Sequence, residues 1–465
     1  MAYTRQDIEA QHQIYKGMMP RWEYFIRSYL GGKEYQDGKF LQSYQLELES
    51  EYFKRTNFTP LDNHCRNIID IYSSFLFRVE PVRELASLEE DMSVEQFKKD
   101  ADLEGRSFEA LMREAQRFAS VYGHVWLMVD KPSTNVMTRA EELDQGIRPY
   151  LNIYTPENIL DWHYTRNESG YYYLDYLKIR EEQTAEGEYY KLWYQDKVDC
   201  VFISTMNRDE PKLISSVPNP LMKIPAVILY NQRSPMRGLG VSDLTDVADL
   251  QKAIYNELSE IEQIIRLSNH PSLVKTRDTD AGAGAGSIIE MPDNIDANLK
   301  PYILQPNGSN LDGVLRSINH KVEAINRLTH VGTLRATAER VQSGIALRTE
   351  FELLNAILSE KSKLMEHAEE QIWRLFAEWQ ETVFDGEIEY PESFDIRDWA
   401  TDLELLQQAK ASNIKSATFN KELDKQIART VIEDDTTLEQ IDSEIEGGTE
   451  VLGEFAQEQI NLPTI

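Results

Sequence analysis

The sequence predicts an α+β chain that is mainly helical. Two patterns carry that reading: long stretches of apolar residues at helical spacing fill the second half, and short segments rich in Tyr, Trp, Val and Ile, separated by polar loops, fill the middle of the first half. Length adds a third constraint. At roughly 100–200 residues per domain, 465 residues suggest about three folding units and allow a large core.

In the first half, Ile8–Leu30 has helical spacing through Ile8, Ile14, Tyr15, Met18, Trp22, Phe25, Ile26 and Tyr29, and Gly31-Gly32 ends it. Leu61–Phe77 follows Pro60 and reads as a mostly buried helix. Val94–Tyr122 is an amphipathic helix or helix pair. It breaks at Gly123 into a short strand, His124–Asp130, and then a polar loop around Lys131-Pro132-Ser133. The segments Pro149–Tyr154, Leu160–Tyr164, Tyr171–Arg180, Tyr189–Gln195 and Asp199–Ser204 are expected to form antiparallel hairpins. Pro218, Pro220 and Pro225 interrupt the pattern before Ala226–Tyr230.

In the second half, Gly240–Asn269 is predicted as one long helix. Its Leu244, Val247, Leu250, Ile254, Leu258, Ile261 and Ile265 lie within about 120° of the wheel. His270-Pro271 ends it. Ser272–Gln305 is a compact insert of short β segments, with the small-residue tract Ala281–Gly286 as a flexible loop tip. A second long helix, Asn310–Val331, carries Leu311, Leu315, Ile318, Val322, Ile325 and Leu328. A third runs from Gly344 to Phe384 with Phe351, Leu354, Leu358, Met365, Ile372, Phe376 and Trp379. A helical region, Ile396–Thr430, leads into a tail that has no Lys or Arg after Arg429 but ten Asp or Glu.

Composition narrows the function. Lys and Arg number 49 against 79 Asp and Glu, a net charge of −30, which repels a duplex or an anionic lipid surface on average. Either the protein never meets DNA, or it meets DNA and must not hold it. At 41% hydrophobic residues the chain is too apolar to be disordered. No apolar run approaches the roughly 18 residues of a membrane span, and the polar start lacks the apolar segment of a signal peptide. Only Cys65 and Cys200 are present, which excludes a disulfide scaffold and points to assembly in a reducing compartment without export.

Enzymatic signatures are missing. There is no Gly-x-x-x-x-Gly-Lys-Ser/Thr loop, no His-Glu-x-x-His, no EF-hand spacing and no Gly-x-Ser-x-Gly elbow. His64-Cys65 reads as a helical core position, and Cys200, alternating with Val198 and Phe202, as a small core residue. No catalytic residue, metal site or cofactor is expected. Two features stand out instead. Asp246, Asp249, Glu257 and Glu260 fall within about 80° of one helical wheel, an arrangement that is ordinarily just a solvated face. The short polar segment Gly332–Ser343 places Arg335 and Arg340 between two long helices, where an ordinary connection would do.

Together these features resemble the portal proteins of tailed bacteriophages, in their group with a long helical stem. The resemblance is carried by Asn67–Phe77 (NIIDIYSSFLF), Phe118–Val129 (FASVYGHVWLMV), Pro149–Ile159 (PYLNIYTPENI), Ile224–Tyr230 (IPAVILY), Asp246–Asn269 and Ser343–Glu352 (SGIALRTEFE). It covers roughly Asn57–Trp379; the first fifty residues and everything after about Pro391 match only in position and general character. It implies a wing from residues 1–233 and 344–390, stem helices at 240–269 and 309–331, and a clip at 270–308 between them. A tunnel loop at 332–343 would carry Arg335, Thr337, Arg340 and Gln342, and residues 391–465 would form a helical crown and acidic tail.

The same resemblance implies a closed ring, twelve subunits in the virion, at one capsid vertex, assembled in the host cytoplasm without a membrane. Double-stranded DNA would pass through it, driven by the ATPase of the terminase large subunit. Major capsid and scaffolding proteins and a head-completion adaptor would be further partners. An acidic wall built from Asp246, Asp249, Glu257 and Glu260, facing the lumen or the neighbouring stem, would keep DNA mobile. Arg335 and Arg340 would make transient phosphate contacts, and Asp278, Asp280, Glu290, Asp293 and Asp296 of the clip would meet basic partner surfaces. Two alternatives stay open on sequence alone: a helical scaffold or adaptor of virion assembly with no channel, and, more distantly, a hydrolytic enzyme using some of the many carboxylates.

Overall fold

Thr4 caps helix α1 (Arg5–Glu9) reciprocally, its hydroxyl accepting from the Asp7 amide while the Asp7 carboxylate accepts from the Thr4 amide. Sequence spacing predicts one helix across residues 8–30, but the structure has two, α1 and α2 (Gln13–Leu30). The cause lies far along the chain. The buried Lys178 ammonium donates to the carbonyls of Asp7, Ile8 and Ala10, so α1 ends on a cation instead of continuing. Burial pushes the Lys178 pKa down, while Asp161 and Asp7 oppose the shift.

The computed structural model describes residues 3–89, 91–132, 139–205, 210–269, 272–277, 279–281, 289–291, 296–304, 311–332, 344–394, 406–412, 414–431, 437–438 and 440–445. The chain divides into two compact units, Met1–Phe394 and Asp395–Ile465. In the first unit α2 is followed by α3 (Gly32–Asp37), α4 (Glu49–Phe58) and α5 (His64–Leu76), then strand β1 (Val82–Glu84), α6 (Met92–Lys99) and α7 (Phe108–Tyr122). Next come β2 (His124–Asp130), α8 (Arg139–Asp144), β3 (Tyr150–Tyr154), β4 (Ile159–Arg166), β5 (Tyr172–Gln183), β6 (Gly187–Tyr194), β7 (Lys197–Ser204), β8 (Lys212–Pro218) and β9 (Ala226–Tyr230). The long helix α9 (Val247–Asn269) leads through β10 (Ser272–Val274), β11 (Asp280–Ala281), β12 (Ile289–Glu290) and β13 (Tyr302–Leu304) into α10 (Leu311–Thr329). Helix α11 (Gly344–Trp379) and β14 (Glu387–Glu389) complete the unit. In the second unit α12 (Ala417–Val431) buries Leu423 and ties Asp424 to Lys410.

Strands β4 to β8 form the expected antiparallel meander, with β8 an addition that the sequence reading lacks. Strand β3 is not part of it. It pairs with β2, and β2 with β9, in a separate three-stranded antiparallel sheet. Strand β2 is buried along nearly its whole length, with α7 and α11 packed against it, which explains its uninterrupted apolar run. The core continues into a ring cluster in which Phe97 and Phe108 meet Trp373 and Phe376 of α11.

Three further sequence expectations need correction. Helix α9 begins at Val247 and not at Gly240, because residues before it are held as a turn by polar groups. Helix α11 ends at Trp379, short of Phe384, where Glu381 takes a left-handed conformation (φ 56°) and the Thr382 amide reaches back to the Ala377 carbonyl. On β7 the buried side is Asp199, Val201 and Ile203; Cys200, with Val198 and Phe202, lies on the half-buried side. Asp199 can be inside because Tyr3, Ser216 and Lys197 all donate to it. His64 and Cys65, by contrast, are buried in α5 as expected.

Glu369 of α11, fully buried, binds the guanidinium of Arg83 on β1 (2.5 Å), the Tyr390 hydroxyl (2.6 Å) and the Trp373 indole (3.1 Å). Burial and the Glu369 carboxylate raise Tyr390 far above an ordinary phenol, so it remains a donor. This knot fastens the small β1–β14 sheet to α11. Glu369→Ala should therefore leave a cation and two donors unsatisfied and lower stability by about 3–5 kcal/mol. Thermal unfolding followed by circular dichroism checks it; a transition matching wild type would mean that water replaces the carboxylate without loss.

Candidate functional site

The long helix pair leaves the body at a polar junction. Gly123 ends α7 with φ 96°, and the chain crosses itself there: a Cβ on Gly123 would lie 2.6 Å from the Gly240 carbonyl oxygen, and one on Gly240 only 1.9 Å from that of Gly123. The Gly240 amide donates to Nδ1 of His124 (3.3 Å), which burial pushes down to about 3 and so keeps neutral. Ser242 donates to the Val121 carbonyl (2.6 Å), and the Asp243 amide to that of Ser120 (3.1 Å). Lys361 of α11 closes the junction. Its ammonium pairs with Asp243 (2.8 Å) and bonds the Asn231 side-chain oxygen, while the Asn231 amide holds the Val241 carbonyl (3.0 Å).

From this junction α9 runs out between α2, α4 and α5 on one side and α10 on the other. Arg55 of α4, buried, bonds Ser259 of α9 and pairs with Glu47, and Arg266 stacks on Phe58 at 3.6 Å. Helices α9 and α10 are antiparallel. Glu257 of α9 accepts from Lys321 (2.6 Å) and Ser317 (2.8 Å) of α10. Thus, of the four carboxylates predicted to share one outward face, Glu257 is half-buried and spent on the partner helix. Asp246, in the turn before α9, and Asp249 and Glu260 on it are exposed and have no ion pair among the described residues.

Sequence reasoning missed the complementary feature on α10. Arg316, His320 and Arg327 lie within about 40° of its wheel, all exposed and without an ion pair among the described residues. Leu315 (43% exposed) and Leu328 (51%), assigned from sequence to the apolar stripe, are instead open to solvent beside the two arginines. The signal was present in the i, i+4, i+11 spacing of the cations, which the carboxylate pattern on α9 overshadowed.

Between the helices, β10 pairs with β13 and β11 with β12. In the latter ladder Asp280 stands opposite Glu290 in the backbone register. Glu290 is exposed, as is Asp296, whose carboxylate caps the next turn by accepting from the Asn298 amide (3.0 Å). Asp278 and Asp293 lie outside the described residues, as do the Gly-rich tract from residue 282 to 288 and Arg335, Thr337, Arg340 and Gln342.

Elsewhere, a cleft of about 620 Å³ opens between the sheets and the end of α11. Four of its charged groups are paired: Lys131 with Glu142, and Lys191 with Asp130 and, outside the lining, Glu181. Burial pushes the Cys200 thiol on its wall upward, away from a reactive thiolate. Among the described residues no group of three or more His, Cys, Asp or Glu is placed to hold a metal, and no helix is long and apolar enough to cross a membrane.

Together these elements build an α+β body from which a long antiparallel helix pair emerges, joined by a small β excursion and followed by a third long helix packed into the body. The chain belongs to the phage portal proteins, matching the family described as "Phage portal protein, SPP1 Gp6-like" over residues 18–449. It is accordingly a virion protein of the capsid vertex, at the head-to-tail connection. A search of curated proteins found no match. Among solved structures, a chain of the neck of an empty gene transfer agent (GTA) particle computed with C6 symmetry is 10% identical, with 77% of this chain and 89% of that one covered and a TM-score of 0.45. A chain of the virion of the native GTA particle is 8% identical, covering 86% and 98% with a TM-score of 0.43. The family assignment rests on the family match and not on these distant likenesses.

Replacing Lys361 by Met removes the cation that joins α11 to the root of α9. Asp243 and Asn231 then lose their shared donor inside the protein, which should cost about 3 kcal/mol and loosen the junction. Hydrogen exchange at the amides of residues 240–248 should speed up relative to those of β2; equal protection in both proteins would contradict the assignment.

Proposed function

We propose that this portal protein forms a closed ring, of twelve subunits in the virion, whose central channel passes double-stranded DNA during packaging and ejection and retains it in between. The observation that carries the proposal is the family match across 18–449, combined with the antiparallel helix pair that α9 and α10 make in the described residues. In this reading α9 and α10 are the stem, the β10–β13 excursion is the clip, and residues 1–233 and 344–390 are the wing. The segment from 332 to 343 is the tunnel loop, and residues 391–465 form the crown and tail. The ring is a structural device without catalytic activity of its own. Movement of DNA is driven by the terminase large subunit, which docks at the clip and later yields to the head-completion adaptor; capsid and scaffolding proteins surround the wing.

The physical logic is one of weak grip. Duplex DNA carries one negative charge per about 1.7 Å, so a strongly basic channel would hold it by many simultaneous contacts. A chain with a net charge of −30 avoids that. Asp246, at the root of α9, faces the lumen or the adjoining stem, while Arg335 and Arg340, with Thr337 and Gln342, supply brief contacts that water and salt keep weak. Asp278, Asp280, Glu290, Asp293 and Asp296 give the clip an acidic surface for basic partners.

Negative-stain microscopy of the purified chain tests the whole reading: rings with a central hole support it, rods or compact particles refute it. Within rings, Arg335→Ala with Arg340→Ala should reduce packaged DNA and its retention in filled heads while leaving ring formation intact. Unchanged packaging and retention would remove the loop's proposed role. Glu290→Lys with Asp296→Lys should weaken binding of the motor and adaptor to intact rings in a pull-down; normal docking would count against the acidic clip.

A further inference from the structure

We infer that neighbouring subunits join through their stems by two charge pairs, Asp249 on α9 of one subunit with Arg327 on α10 of the next, and Glu260 with Arg316. The inference rests on the ring reading above, and it assigns these two carboxylates to the adjacent subunit and not to the lumen. The partner is a second copy of this chain.

The internal register supports it. Because the Glu257 carboxylate meets both Ser317 and Lys321, residue 257 sits level with about residue 319 on the antiparallel partner. Counting outward from that level, residue 249 stands at the height of 327, and residue 260 at the height of 316. In a ring whose axis runs along the helix pair, rotation preserves height, so a head-to-tail contact brings together residues at the same level. Asp249 and Glu260 of one subunit then coincide in height with Arg327 and Arg316 of the next, on an α10 face that also carries Asp312 and Glu323.

Spacing and exposure agree with this. Asp249 and Glu260 are eleven residues apart, as are Arg316 and Arg327. That is about 16 Å along a helix at 1.5 Å per residue, and about 20° from a whole number of turns, so each pair stays on one face. All four side chains are exposed and have no ion pair among the described residues. His320, on the same basic face, stands level with Asn256, whose amide already bonds the carbonyls of Lys252 (2.8 Å) and Phe40 (3.1 Å), so it takes no part in the pairing.

Charge reversal on the full-length protein tests the pairing. Asp249→Arg with Glu260→Arg, and separately Arg316→Glu with Arg327→Glu, should each abolish the ring peak in size-exclusion chromatography with light scattering at about 0.15 M salt. The four substitutions together should restore it, and circular dichroism should show wild-type helix content throughout. The milder Arg316→Gln with Arg327→Gln should give rings that dissociate at lower salt than wild type. Rings of wild-type abundance and salt dependence in the reversed variants would overturn the inference. So would failure of the fourfold swap to recover rings from folded subunits. Normal rings that lose only DNA passage would instead place the arginines in the channel, also against it. A wild-type chain that never forms rings would defeat the ring reading itself, and this inference with it.

Discussion

The buried contact of Lys361 with Asp243 and Asn231 is the constraint on which the rest of the first unit turns. It lies where four separate pieces of chain converge: the end of α7, the end of β9, the approach to α9 and the middle of α11. None of these is a neighbour in sequence of all the others. A cation inside a protein is unfavourable unless its donors are matched, and here a carboxylate and an amide oxygen match them. The requirement propagates outward. Asn231 must present its oxygen to Lys361 and its amide to Val241, Ser242 must turn back to α7, and Gly123 and Gly240 must cross without side chains. The direction in which the long helix pair leaves the body is fixed by this polar knot more than by apolar packing, which is less directional.

Beyond the knot, the helix pair shows two different chemistries on its two sides. Toward the body and toward each other, α9 and α10 use Ile254, Ile261, Ile318 and Ile325, with the Glu257–Lys321 pair setting their register. On the open side α9 presents Asp249 and Glu260, and α10 presents Arg316 and Arg327, with Asp312 and Glu323 within about 40° of Arg316 on the wheel. A single subunit gains nothing from that arrangement, since exposed carboxylates and guanidiniums are adequately solvated as they stand. In a ring the same surface becomes useful, because every subunit offers both halves of one contact.

Much of this was legible in the sequence, for identifiable reasons. Strands β2 and β9 announce themselves by continuous apolar runs, and β4 to β7 by aromatic and branched residues between polar turns, because burial in those places follows local pattern. Strand β8 escaped notice because nearly every residue in it is exposed, so it carries no apolar alternation. Helix α4 is short and polar, and earns its place through Arg55, whose partners Glu47 and Ser259 lie elsewhere. The break after α1 depends on Lys178, some 170 residues on. Within the site, exposure of Asp249 and Glu260 followed from the wheel, whereas the withdrawal of Glu257 did not: its partner sits on another helix, and only the antiparallel register brings them together. Periodicity reports which face of a helix is apolar; it is silent about which charged residue a distant segment will claim.

The choice of charge over apolar contact at the open face has a physical rationale. A subunit with a long leucine-lined stem would bury that face against whatever it met first, including the wrong copy or the wrong register, since apolar contact does not discriminate by position. Two pairs of opposite sign about 16 Å apart discriminate strongly: a shift along the helix leaves charges unmatched or sets like against like. Each pair is weak when exposed, so a mistaken contact dissolves readily. In the proposed ring, closure would engage the pairs at every interface together, and the sum would hold only when the full circle is in register. On the proposed pairing, the arrangement would also take away from the channel side the arginines that would otherwise attract phosphates. In the proposed ring, the charge that orders the assembly would thereby be kept apart from the DNA proposed to pass through it.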